Sequence, residues 1–180
     1  MNKIPAILIF SILASIVACA SPSDSKKEEL LAQMEFNRSV TLKDLDDIEK
    51  TGKADQALRW SVSPEHAPVG WHFMHLASTE DKFASMMSGK PLVSEKLAEQ
   101  FSSGQDANRD VPSLPEVRRY LQDSRQALVA AIQDFDYNRL DEKPAPDARF
   151  DFKTMLKVIV FHEPHHQGQA HATFNLYKKP

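Results

Sequence analysis

Four of the seven histidines in this chain fall within ten positions of one stretch, FHEPHHQGQAHATF, residues 161–174. An imidazole is largely neutral near pH 7 and presents a nitrogen lone pair that can take up a metal ion or a proton. On an α-helix each residue advances about 100°, which sets His166 about 40° from His162, His165 about 60° the other way, and His171 about 180° off. Met155, Ile159, Gln169 and Thr173 fall within about 60° of His162, and the apolar members of that set mark the face as inward. Two imidazoles four positions apart on such a face can converge on one divalent ion. His171 is then expected at the surface, while the arithmetic leaves His165 between the two sides.

A third ligand has to come from another helix, and GWHFMHLASTE, residues 70–80, supplies two candidates. His75 shares a face with Trp71, Thr79 and Met86, and His72 lies about 60° round from it. His72 is the reserve, because a shift of one helix against the other would exchange the two. Three neutral nitrogen ligands leave coordination positions open, the pattern of a catalytic rather than a structural site. Gln169 is the candidate for orienting a ligating imidazole through its amide. Glu163, about 100° from His162, reads as a solvated helix charge rather than a general base.

The elements that must hold these residues are helical. Five glycines and few β-branched runs argue against sheet. Leu31, Met34, Leu42, Leu45 and Ile48 predict a first helix over 28–49, with an interruption expected near Asn37 to Thr41. A second helix begins near Pro68 and stops at Ser88-Gly89. Residues 90–112 read as a long polar connection with a short helix in SEKLAEQF. Ser113 and Glu116 form a capping-box pattern, opening a third helix with Val117, Tyr120, Leu121, Leu128, Ile132 and Phe135 on its buried side. A fourth helix follows the proline-rich DEKPAPDARFD and runs over 152–177, with Pro164 expected to kink it or to start a new segment. The fold class expected is all-α, a four-helix bundle around one core.

The stretches SPEHAPVGWHFMHLASTED and VIVFHEPHHQGQAHAT resemble the two signature regions of the DinB-like superfamily, which includes the YfiT-like and bacillithiol-transferase-like metalloenzymes. Relatives combine a motif ending in His-Leu, here His75-Leu76, with one close to His-x-x-x-His-x-Gly-Gln, here His162, His166, Gly168 and Gln169. The resemblance spans residues 28–178 and implies a four-helix bundle that binds a divalent ion through His75, His162 and His166. Nitrogen-only ligation suits Zn, Ni, Fe and Cu alike, and the ion expected is Zn, Ni or Fe. Some relatives are thiol-dependent transferases, so a metal-dependent transferase or hydrolase acting on a small-molecule substrate is expected. The alternative is a non-catalytic metal-binding or envelope interaction protein on the same scaffold. Many relatives carry arginine where this chain has Gln167.

The N-terminus gives an address. Residues 1–18 hold one cation, Lys3, and an apolar run from Ile4 to Val17, the layout of a secretory signal peptide. The tetrad Ile16-Val17-Ala18-Cys19 resembles the lipobox of bacterial lipoproteins, which implies cleavage before Cys19 and attachment of lipid to its sulfur. Cys19 is the only cysteine, so no disulfide is available. The expected organisation is a signal peptide over 1–18, a flexible tether over 19–27 and one domain over 28–178. The expected location is the cell envelope, on the outer membrane facing the periplasm where the cell has one. Losing Lys3 moves the net charge from −3 to −4, which gives no support to nucleic-acid binding. The partners expected are the metal ion, a substrate, the membrane through the lipid, and a second copy in a homodimer.

Overall fold

Pro68 and Gly89 bracket the helix that carries His72 and His75. In the computed structural model, which describes residues 22–103 and 107–179, Pro68 is extended, Val69–Ser88 is helical, and Gly89 closes the helix at φ 71 with its N–H on the Ser85 carbonyl. Only glycine takes that left-handed conformation without strain. The described residues form six α-helices, four of them long, and no strand. The helices are α1 (Pro22–Glu49), α2 (Ala54–Arg59), α3 (Val69–Ser88), α4 (Glu95–Gln100), α5 (Leu114–Asp134) and α6 (Phe152–Tyr177). The expected stop and start signals operate as physical caps. The Ser113 N–H donates to the Glu116 carboxylate at 3.1 Å, and the Asp151 carboxylate accepts from the Thr154 N–H at 2.7 Å. None of the described helices is long and apolar enough to cross a membrane.

The buried apolar residues fall into two clusters. One holds Leu45, Ile48, Phe73, Leu76, Leu121 and Phe174; the other holds Met34, Phe83, Leu128, Ile132, Phe152 and Ile159. Along α1 and α6 the chain passes from the second cluster to the first, and along α3 and α5 from the first to the second. Two neighbouring long helices, α3 and α5, therefore run the same way. The connection that contains α4 must travel back along the bundle, which is why it is long. At the start of α3, Gly70 permits a close approach: a Cβ there would lie 2.5 Å from Val111 Cγ1 and 3.1 Å from Leu58 Cβ.

Between the two apolar clusters, each long helix contributes one member of a buried ion-pair layer: Arg38 from α1, Glu80 from α3, Arg125 from α5 and Glu163 from α6. Arg38 Nε lies 2.7 Å from Glu163 Oε1 and Arg38 Nη2 2.9 Å from Glu80 Oε1. Arg125 pairs with both Glu80 and Glu163, and Thr41 Oγ1 donates to Glu163 Oε1 at 2.8 Å. Burial alone would lower the Arg38 pKa, but Glu80 and Glu163 together hold it above its ordinary value.

This layer corrects two expectations. Glu163 is buried, at 2% exposure, and not a solvated charge. α1 is not interrupted near Asn37 to Thr41. The polar residues there broke the apolar pattern because they supply the charged layer and its partners, not because the helix stops. Leu42, by contrast, is exposed. α1 also starts earlier than expected, at Pro22, so residues 22–27 of the expected tether are helical, and Lys27 Nζ donates to the Gln133 and Phe135 carbonyls. Residues 1–18 and Cys19 lie outside the described residues.

Pro164 does not end α6, which is one helix from Phe152 to Tyr177. A proline has no N–H, so the carbonyl four residues earlier loses its helical partner. That carbonyl belongs to Val160, and the Asn37 side-chain amide donates to it at 3.2 Å. A neighbouring helix thus replaces the bond that the proline removes.

Candidate metal centre

α4 is short, but it is fastened to α3 at three levels. Ser78 Oγ donates to the Ala98 carbonyl at 2.8 Å. The buried Asp81 carboxylate accepts from the N–H groups of Val93 and Ser94, at 2.7 and 3.1 Å, and from the Tyr120 hydroxyl at 3.0 Å. The third level is His75, whose Nδ1 lies 2.8 Å from the Phe101 carbonyl. A carbonyl can only accept, so Nδ1 carries the proton and Nε2 of the neutral ring keeps its lone pair. Trp71, one turn earlier, stacks on the His75 ring with centroids 4.7 Å apart and planes 5° from parallel. The ring is therefore fixed in position and tautomer by two contacts that involve no metal.

His162 and His166 on α6 come to meet it. One ring nitrogen from each of His75, His162 and His166 lies within 4.8 Å of the others, and the Nε2 atoms of His75 and His162 are 3.2 Å apart. Two nitrogens bound to one tetrahedral ion at about 2.0–2.1 Å would be about 3.3 Å apart, so the His75–His162 pair already has ligand spacing. Burial, reinforced by neighbouring imidazoles, holds the pKa of His162 down to about 4 and that of His166 down to about 2. Burial also lowers His75, partly offset by its bond to Phe101. All three rings are therefore neutral at neutral pH, the state in which imidazole ligates. A donor set of three convergent neutral nitrogens, one locked with its lone pair free, fits a divalent ion.

The remaining candidates are placed as follows. His72 is buried beside the three, with its Nδ1 3.4 Å from Nδ1 of His166. His165 is exposed and stacks on the exposed Phe161. His171 turns away to α1, its Nδ1 2.9 Å from Asp44 Oδ1. Gln169 is exposed; the group that orients a ligand ring is the Phe101 carbonyl, a backbone atom on α4's far end. Gln167 donates to Asp44 Oδ2 at 2.6 Å.

The charged layer was missed by the sequence reading, yet it carries a signal. Met34, Arg38, Thr41, Leu45 and Ile48 follow three- and four-residue steps, as do Leu76, Glu80 and Phe83, Leu121, Arg125 and Leu128, and Ile159, Glu163 and His166. Each charge sits in register with its helix's buried stripe. Glu163 is flanked in sequence by His162 and lies one turn before the His166–Gln167 pair, so the ion pairs that pin it also set the rotation of α6 about its axis.

A cleft of about 370 Å³ opens onto the site, with His75 and His162 in its wall. It runs between α3, which contributes Thr79, Lys82 and Met86, and α6, which contributes Met155 and Val158, and it is bordered by Arg149 and Phe150. The chain thus holds two of its three histidines at the edge of a space large enough for a small molecule.

A family model described as the DinB superfamily matches residues 27–170, a span that includes all three histidines. No curated protein matches the chain.

Proposed function

This chain belongs to the DinB superfamily, and from that premise we propose that it is a metal-dependent enzyme whose divalent ion is held by His75, His162 and His166. The four long helices are read as the single bundle that carries the site, and the chain as a member of the YfiT-like branch. The observation that carries the catalytic reading is the cleft, which reaches two of the three histidines; a protein that only stores metal needs no such access. A bound Zn, Ni or Fe ion would supply Lewis acidity, lowering the pKa of the oxygen or sulfur group that it contacts.

The chain's own part is preparation. Phe101 keeps the His75 Nε2 lone pair available, and Trp71 shields one face of that ring from water. Thr79 lines the cleft one turn from His75, and its hydroxyl can orient a substrate by hydrogen bonding. The reaction class supported is transfer between a thiol and an electrophile, or hydrolysis of an ester or amide. Among the described residues no carboxylate lines the cleft, and this favours, as second reading, a metal-binding or interaction protein without turnover. Panels of thiol plus electrophile and of simple esters and amides, assayed with metal-replete and chelated protein, separate the two. Turnover that chelation abolishes supports the enzyme, and identical rates in both samples rule it out.

The same proposal places the protein in the cell envelope as a lipoprotein, anchored through Cys19 and facing the periplasm. Its support is the tetrad Ile16-Val17-Ala18-Cys19 behind an apolar run.

A further inference from the structure

Among the described residues the cleft is lined by two cations and no acid, in a chain whose net charge is −3. The cations are Lys82 and Arg149. Lys82 makes no ion pair with any described residue, and burial lowers its pKa although Glu99 and Asp81 act against this. Asp81 is committed to Val93, Ser94 and Tyr120. Arg149 stands at the mouth with its guanidinium over the Phe150 ring, 4.8 Å from the centroid. Two cations that make no ion pair with any described residue, next to a site that would itself hold a dication, form an electrostatic arrangement completed by an anion.

Distance narrows the choice. Lys82 follows His75 by seven residues on the same face of α3, which places it about 10 Å further along the helix. On α3 Thr79 lies between them; the apolar lining is Val158 and Met155, one and two turns before His162 on α6, with Phe83 beside Lys82 and Met86 one turn beyond it. An inorganic anion would leave that wall wet, and a long lipid chain exceeds a cavity of about 370 Å³. We infer that the cleft binds a small amphipathic anion: its carboxylate on Lys82 and Arg149, its apolar body along Met155 and Val158 of α6, and a polar group at its other end directed to His75 and His162. The placement of that last group rests on the proposed metal site; the charge preference does not.

The test is a calorimetric titration of the full-length chain, purified without an affinity tag and assayed for metal in the same sample. Three probes of equal length are compared: 8-hydroxyoctanoate, octane-1,8-diol and 8-aminooctan-1-ol. The anion is expected to bind at least about tenfold more tightly than the diol, and the amine more weakly still. Lys82→Met should remove most of that preference while leaving the diol unchanged, and Lys82→Arg should retain it. Arg149→Gln should reduce it less. Equal binding of acid and diol, no binding of any probe by metal-bearing protein, or a preference that survives Lys82→Met combined with Arg149→Gln would each overturn the inference. A sample that contains no metal yet prefers the acid supports the charge preference and counts against the metal reading, so the two failures are distinct. Unchanged metal content in the variants shows that they fold.

Discussion

The side-chain amide of Asn37 donates to the carbonyl of Val160, 123 positions away in sequence, at 3.2 Å. The bond exists because Pro164 has no N–H to offer that carbonyl. Removing Asn37 should leave a partly buried acceptor without this partner, and Asn37→Ala is expected to cost about 1 kcal/mol. In a Pro164→Ala background the restored amide can take the carbonyl, so the same change should cost less. Urea unfolding of the four proteins in a double-mutant cycle reads the coupling. Strict additivity would show that the two residues act independently.

Replacing His75, His162 or His166 by alanine should each reduce metal affinity by at least the roughly 10- to 100-fold that loss of a mere supporting contact typically costs. His171→Ala should retain wild-type metal, because that ring bonds to Asp44 on the other side of α6. His72→Ala should retain most of it, since His72 lies outside the convergent group of His75, His162 and His166 and makes a ring-nitrogen contact with His166 alone among them. Elemental analysis of untagged protein also identifies the ion, which the donor set leaves open among Zn, Ni, Fe and Cu.

Acid should destabilise the metal-free protein in a defined window. His72 and His162 are held down to about 4 and His166 to about 2, each from an ordinary 6.5 and each mainly by burial. The folded rings stay neutral while the unfolded chain takes up protons. Stability is therefore complete above about pH 6.5 and falls as pH drops towards about 4. Urea midpoints measured in chelator against pH should slope accordingly, and the slope should flatten in His162→Ala. A flat profile between those values would mean that the rings are not desolvated as described.

Glu163→Ala leaves Arg38 and Arg125 each short of a partner in a buried layer. The expected cost is about 3–5 kcal/mol, the usual consequence of stranding a buried charge. Metal content should fall as well, because α6 loses the contact that fixes its rotation. Glu163→Gln, which keeps the shape and can still accept, should fall between Glu163→Ala and wild type in both unfolding and metal assays.

Cys19→Ser should yield a protein that is unprocessed or soluble, lacking the mass of an attached lipid. Membrane fractionation and intact mass check this, and an unchanged result in both would remove the lipoprotein reading.

Much of this arrangement is legible in the sequence, and the reasons differ by residue. The spans of α3, α5 and α6 follow from Pro68, Gly89, the Ser113–Glu116 box and three- to four-residue apolar spacing, because those signals are local. The meeting of His162 with His166 is helical arithmetic, and their meeting with His75 needed only two inward faces. What stayed hidden was polar residues doing core duty. Asn37, Arg38, Thr41 and Glu163 look like solvent positions when polarity alone is read, although their register says otherwise. The Phe101 carbonyl was out of reach for a different reason: a backbone oxygen has no side-chain signature, and only the path of α4 brings it to His75.

The four buried charges have a consequence for how the chain reaches this state. They lie 42, 45 and 38 positions apart in succession, so no two can meet through local contacts. An assembly of three docked helices would bury an arginine or glutamate with too few partners, and would be penalised by the desolvation of that group. Partly assembled forms are thus raised in energy relative to both ends of the reaction, which sharpens the transition. The layer is complete only when all four long helices are docked, and only then are His75 on α3 and the two histidines of α6 held at ligand spacing. A divalent ion should therefore find its three nitrogens in the finished protein and not act as the template around which the helices gather.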